Sequence, residues 1–441
     1  MKRWIRPVVL LVVFVLTIIA GSLLMNKTNK DLTSSLEEAS LPVVYFTYDD
    51  ITINELHGYV NEMNQCAMRD TITPIQDDRL LHVKINTYGT PVDSIRYEIR
   101  SLDGERLVAD GEITEYTSSG NTISYDAEVE NLLENNEEYV YRITLSADGR
   151  DVYYYTRLER TVDRNVPECL AFAKEFHDYT LNGEGASFIP TYMDPATGDA
   201  TTLHYVDLTC TLNQITWSKF EGEVATEVIA DIKEISDTYN VIVLNYVMSY
   251  KNEAGETEFY NVEEYYRLRN TETRMYVLNF ERTMTQIFSG ENEILSDAGN
   301  LQLGIRDTDV EYRANDAGDI IAFVQEGELW CYNAESNHIA RVFSFRSLEG
   351  LDIRENWEQH DIKIVSVDEA GSVDFVVYGY MNRGNHEGEV GVAVYHYDGL
   401  SHTIEEEIFI QCDQSYEVLK AELGQLLYVN EQETLFLIMA G

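Results

Sequence analysis

Apolar residues recur along this 441-residue chain in three different spacings, and each predicts a different element. The first is an unbroken run from Pro7 to Met25, behind the charged start Met1 to Arg6. As a helix rising about 1.5 Å per residue, it just spans the roughly 30 Å hydrocarbon layer of a bilayer. The second is alternation with period two, the mark of a half-buried strand. It begins at Leu41 and occupies most of the remaining chain. The third is one helical stripe, Cys169–Phe172–Ala173–Phe176, opened by Asn165 and Pro167 and closed by Asn182-Gly183. Asn26 to Ser40 has no apolar period and reads as a polar stalk.

These patterns divide the chain into a cytoplasmic N-terminus (1–6), a transmembrane signal-anchor (7–25), the stalk (26–40) and three folded units. The first unit, 41–160, is a β-sandwich with strands at 81–87, 93–100, 106–115, 122–129, 139–145 and 152–158. Tight turns such as Asp103-Gly104 and Ser119-Gly120 separate them. The second, 161–289, is an α+β domain with one helix on an antiparallel sheet, its strands at 205–212, 241–250, 259–267 and 275–280. Ile242, Leu244, Tyr246, Met248 and Tyr250 share one face there. The third, 290–441, carries a run of four strands at 362–367, 373–380, 390–397 and 403–410. A shorter set precedes it at 319–324, 328–333 and 339–345. A further set comes after it at 418–423, 425–429 and 434–439. The fold class is thus mainly β and multidomain.

Two of these units resemble known families. Leu133-Glu134-Asn135-Asn136-Glu137-Glu138-Tyr139, with Tyr141, Ile143 and Leu145 behind it, resembles the corner of fibronectin type III modules. The resemblance covers about 80–160. It implies an Ig-like sandwich in which the Tyr139 hydroxyl bonds back to the backbone. Four antiparallel strands in about fifty residues resemble a β-propeller blade, and Leu329-Trp330-Cys331-Tyr332 lies on the second strand of another. That resemblance covers about 319–441 and implies a partial propeller. Closed propellers need 4–8 blades. An apolar last strand at Leu435–Met439 therefore leaves three readings: truncation, an open stack, or an edge completed by another chain.

Charge orients the scheme. Lys2, Arg3 and Arg6 favour a cytoplasmic N-terminus, with all later units outside. An uncleaved anchor is preferred to a cleaved signal, because Leu23-Leu24-Met25 continue the apolar run past the small residues Ala20-Gly21-Ser22. The formal net charge is −45, from 32 Lys+Arg against 77 Asp+Glu. Nucleic-acid binding needs cationic side chains that displace counterions, so it is excluded as a function class.

The chemistry-bearing residues are sparse. Cys66, Cys169, Cys210, Cys331 and Cys412 are widely spaced, which argues against a disulfide framework or a zinc site. Cys169 and Cys210 read as small core residues. No phosphate-binding, dinucleotide, zinc-protease or serine-hydrolase motif occurs, so no catalytic residue, metal ligand or cofactor is assigned. Glu175, His177 and Asp178 cannot converge from one helix and read as a solvated face. The densest mixed polar cluster is the loop Met381 to Gly388. There Tyr378, Tyr380, Arg383, Asn385 and His386 form a candidate site for a sugar or peptide, weighed against a plain solvated hairpin tip.

The composite expectation is a membrane-anchored, extracytoplasmic, non-enzymatic binding or scaffold protein of the cell envelope, with an envelope glycan or protein as partner. The alternatives are an accessory regulator of a membrane partner protein and a propeller-based carbohydrate-active enzyme. Converging acidic residues in a pocket would favour the last.

Overall fold

The structure, a computed structural model, describes residues 30–32, 36–75, 78–129, 133–182, 185–195, 202–290, 295, 300–347, 351–429 and 435–437. The apolar run 7–25 lies outside them, as does the N-terminus 1–6. Among the described residues no helix is long and apolar enough to cross a membrane. The chain is mainly β and multidomain, with several sheets.

Alternation places Leu81, Val83 and Ile85 on one face of Leu80–Asn86, and Tyr139, Tyr141, Ile143 and Leu145 on one face of Glu138–Ala147. All seven are buried in a single core cluster. They come from two facing layers. One holds Val43–Tyr48, Leu80–Asn86 and Thr122–Glu128; the other orders Ile72–Ile75, Arg150–Arg160, Glu138–Ala147, Val92–Ser101 and Leu107–Ile113. The backbone N–H of Glu134 donates to the Tyr139 hydroxyl at 3.1 Å, which pins the corner before that strand.

The first layer does not stop at the sandwich. Ile53 pairs with Ala230 in parallel, so the sheet continues through Ile229–Ile235, Asn240–Lys251, Thr257–Asn270, Met275–Ile287 and Tyr205–Asp207, making eleven strands in all. Asn54 welds the junction. Its buried amide donates to Ile72 O and Thr73 Oγ1 (both 2.9 Å) and accepts from Ile232 N at 2.8 Å. The sandwich and the α+β unit thus share one sheet.

Helix Val166–Leu181 lies on this sheet, with Phe176 against Tyr266 and Phe280. Asn165 is at its N-cap position, but in left-handed conformation (φ 53°), and its side chain makes no cap bond. The strand expected over 205–212 ends at Asp207. Thr211 and Gln214 instead form a capping box that starts the short helix Leu212–Ile215.

In the third unit the four-strand run is His360–Val367, Val373–Tyr380, Val390–Asp398 and Thr403–Cys412, hydrogen-bonded in sequence order. Tyr312–Ala314, Ile320–Gln325, Glu328–Asn333 and His338–Phe343 make a second sheet. Lys30–Leu32, from the segment read as stalk, joins its edge parallel to His338–Phe343. The two sheets pack through Val342, Phe343, Phe375 and Tyr395. Their outer faces are covered as well: Phe288 packs on Trp330, while Tyr59, Met63, Tyr155, Leu419 and Leu423 pack on Val376 and Val392. The last two leucines follow a helical period where alternation is expected. Residues 418–423 are not a strand but part of helix Tyr416–Leu426, which buries Tyr416, Leu419 and Leu423 at spacings of three and four. The short strands Leu427–Val429 and Leu435–Leu437 pair beyond it.

Candidate functional site

The loop Met381 to Glu389 is not a free tip. It is the joint between the C-terminal sheets and the sandwich. Glu387 is buried and accepts hydrogen bonds from Ser40 N (2.6 Å), Ser40 Oγ (2.5 Å) and Leu41 N (2.9 Å). Val60 N donates to Gly388 O, and the Asn382 amide donates to the carbonyls of Arg354 and Trp357. A Cβ on Gly388 would stand 2.6 Å from Leu41 Cδ1, so close approach of the two units requires glycine there.

The five residues singled out from sequence are dispersed across this joint. Tyr380 is buried, donates to Gly58 O at 2.7 Å and meets Trp357 edge-on, with centroids 4.5 Å apart. Arg383 is buried in an ion pair with Glu355 (2.8 Å). His386 bridges Glu389 and Glu406 at 3.0 Å each while stacked on Phe409. Tyr378 is half-buried; burial and then Asp361 push its phenol well above the ordinary range. Asn385 alone is exposed. The Tyr380 hydroxyl, Arg383 Nη1 and both ring nitrogens of His386 are engaged within the chain, and none of the five residues lines the large acidic cleft between the units.

That cleft, of about 450 Å³, runs between the outer face of the long sheet and the C-terminal elements around Trp357 and Tyr416. Alternation builds its floor. With the helix covering one face of the sheet, Asp231, Asn245, Asn261, Glu263 and Thr283 point to the other. Eight carboxylates line the cleft against two lysines, Lys233 and Lys420. Lys233 bonds Asp70 at 3.0 Å and Asp231 at 3.2 Å. Burial pulls its ammonium down, but those two carboxylates outweigh burial and hold it above the ordinary value. Asp231 is raised by burial against the pull of Lys233. Glu263 is raised by its crowded setting, also against Lys233, with Asp231 and Asp70 adding to the rise.

At the C-terminal wall two acids face each other. The Asn261 amide donates to Glu326 Oε2 at 3.0 Å and to Glu358 Oε1, and Arg346 reaches Glu358 at 3.1 Å. Enclosure by the surrounding groups, then the neighbouring Glu326 carboxylate, push Glu358 well above the usual carboxylate range. Beside them, His360 is held against Gly327 O at 3.1 Å, and burial lowers its imidazole to about 4, so the ring is neutral.

A second polar cluster lies inside the middle unit. His177, read as part of a solvated face, is buried instead, its Nδ1 3.0 Å from Glu264 Oε2; Glu175 and Asp178 are exposed as expected. Tyr246 and Tyr266 donate to the same carboxylate at 2.8 and 2.6 Å. Arg282, fully buried, donates to the carbonyls of Ile215 and Gln214 (2.8 Å each) and stacks on Trp217 at 3.5 Å. The helical stripe hid this histidine, because Phe176 next to it already marked the core face.

Fold and site together define a mainly β multidomain chain with an acidic inter-unit cleft. Among the described residues no group of three or more His, Cys, Asp or Glu is arranged to hold a metal ion. No family model matches the chain, and no curated protein matches it.

Proposed function

We propose that this is a membrane-anchored, extracytoplasmic binding and scaffold protein, with Pro7 to Met25 as its anchor and the acidic cleft holding a cationic group of an envelope glycan or protein partner. The observation that carries the reading is the cleft itself. Clefts lined by one sign of charge focus the field and concentrate ions of the opposite sign. In this reading the first unit is a fibronectin type III-like spacer, supported by the Tyr139–Glu134 corner bond. The two C-terminal sheets are propeller-like blades, supported by the sequence-order pairing of 360–412.

Two measurements test it. Cys66 is exposed, so a membrane-impermeant maleimide should label it on intact cells; labelling only after permeabilisation rejects the topology. A lysine-rich peptide should bind, more weakly in the Glu227→Gln/Glu263→Gln variant and as salt screens the cleft. Affinity unchanged by both rejects the cleft as the site.

The facing pair Glu326 and Glu358, both within reach of the Asn261 amide, favours a second reading, a carbohydrate-active enzyme, since two neighbouring carboxyls, one of them raised, are the groups such chemistry uses as acid and base. Turnover of envelope glycans that disappears in Glu358→Gln would establish it. No turnover by the intact chain removes it.

A further inference from the structure

The strand Lys30–Leu32 fixes where the chain leaves the folded part, and hence which end faces the lipid. We infer that the end of the two C-terminal sheets bearing the turns 315–318, 334–337, 368–371 and 398–402 faces the bilayer, while the acidic cleft opens at the opposite end. This rests on the anchor reading of Pro7 to Met25.

Covalent geometry gives the first step. Four residues lie between Met25 and Lys30, and an extended chain covers at most about 3.6 Å per step, so over the five steps Lys30 lies within roughly 18 Å of the end of the apolar run. Lys30 pairs with Ile339, at the beginning of His338–Phe343, and the pairing is parallel. The chain therefore enters at the 334–337 turn and climbs away from it.

Contacts then tie the other turns to that end. Asn315 Nδ2 and Ala317 N both donate to Glu369, at 2.8 and 3.2 Å. Ala334 N donates to Asp319 O, and the rings of His338 and His402 are 5.8 Å apart. A Cβ on Gly399 would strike the Gly371 backbone at 2.4 Å, so these two turns lie side by side. On the same end Leu400 is 79% exposed, the highest value among the exposed large apolar side chains of the described residues.

Strand direction places the cleft. Glu326 closes the hairpin at the far end of Ile320–Gln325. That strand is six residues long, which puts Glu326 about 17–20 Å from the tethered end at ~3.3 Å per residue. The path after Leu32 agrees: Leu36 reaches Gly384, and Ser40 reaches Glu387, both in the joint at the far end. The tethered end carries Asp316, Glu335, Glu369 and Asp398. It is therefore held by its short tether and by Leu400, not by attraction to anionic headgroups.

The test uses the full chain in phosphatidylcholine vesicles carrying an acceptor dye on the headgroup. Donor dyes go on Leu400→Cys, Ser336→Cys or Glu417→Cys, each in a Cys66→Ser/Cys412→Ser background; Glu417 lines the cleft, and all three positions are exposed. Energy transfer is expected to be several-fold stronger from positions 400 and 336 than from 417. Equal transfer, or stronger transfer from 417, with the chain bound to vesicles overturns the inference while leaving the anchor intact. A chain recovered free of lipid overturns the anchor reading, and this inference with it.

Discussion

His177 Nδ1 and Glu264 Oε2 stand 3.0 Å apart with both side chains almost wholly removed from water. Burial lowers the imidazole's affinity for its proton, but Glu264 outweighs it and raises His177 above its ordinary 6.5. Burial also disfavours the charged carboxylate, yet His177, Arg282 and the Tyr266 hydroxyl hold Glu264 below its ordinary 4.5. The raised histidine contributes stability that is complete below about pH 6.5 and is lost as pH rises through its folded value. The depressed glutamate contributes stability that is complete above about pH 4.5 and is lost as pH falls through its folded value. Thermal midpoints should therefore peak between those limits. His177→Ala, which leaves the acid buried without its partner, should cost about 3–5 kcal/mol by urea denaturation at pH 6.

Glu358 should behave in the opposite sense to Glu264. Its carboxyl is raised, so its contribution is greatest in acid and falls as pH rises through the folded value. Glu358→Gln mimics the protonated form. It should be more stable than wild type at alkaline pH and closest to it in acid. The side chain is half open to the cleft, so solvent screens the effect, and the sign is what the comparison of the two pH profiles checks.

Glu387 is the main polar fastening between the N-terminal segment and the C-terminal sheets. Glu387→Ala strands the donors Ser40 N and Leu41 N at a buried junction, at about 1–3 kcal/mol for each unsatisfied group. Because the junction couples the units, calorimetry should show one broad or split transition in place of the wild-type one.

Tyr380→Phe keeps the ring packing against Tyr59 and Trp357 but removes the bond to Gly58 O. About 1 kcal/mol of destabilisation is expected in chemical denaturation, with the denaturant slope unchanged. Tyr380→Ala also removes the buried ring and should cost about 3–5 kcal/mol.

Much of the fold was readable wherever a pattern is local. The four expected strands between 362 and 410 fall within His360–Val367, Val373–Tyr380, Val390–Asp398 and Thr403–Cys412. Tyr139 bonds back to its own corner, five residues away. Where two periods compete over a few residues, the reading failed. Val418 to Leu423 fits alternation on paper, but its buried positions follow the helical spacing Tyr416–Leu419–Leu423. The cleft was not legible at all: with 77 acids in the chain, nothing in the order of residues says which eight meet.

The sequence by itself determined the net acidic charge, and also the apolar run, most strands and the helix Val166–Leu181, because each of those three depends on neighbours within a few positions. Only the tertiary structure decided that Ile53 pairs with Ala230, that His177 turns inward to Glu264, and that the polar loop 381–389 is a joint. Those outcomes depend on which surfaces meet across tens to hundreds of residues. A buried polar side chain is tolerated only where a distant partner satisfies it, and no local spacing records that partner.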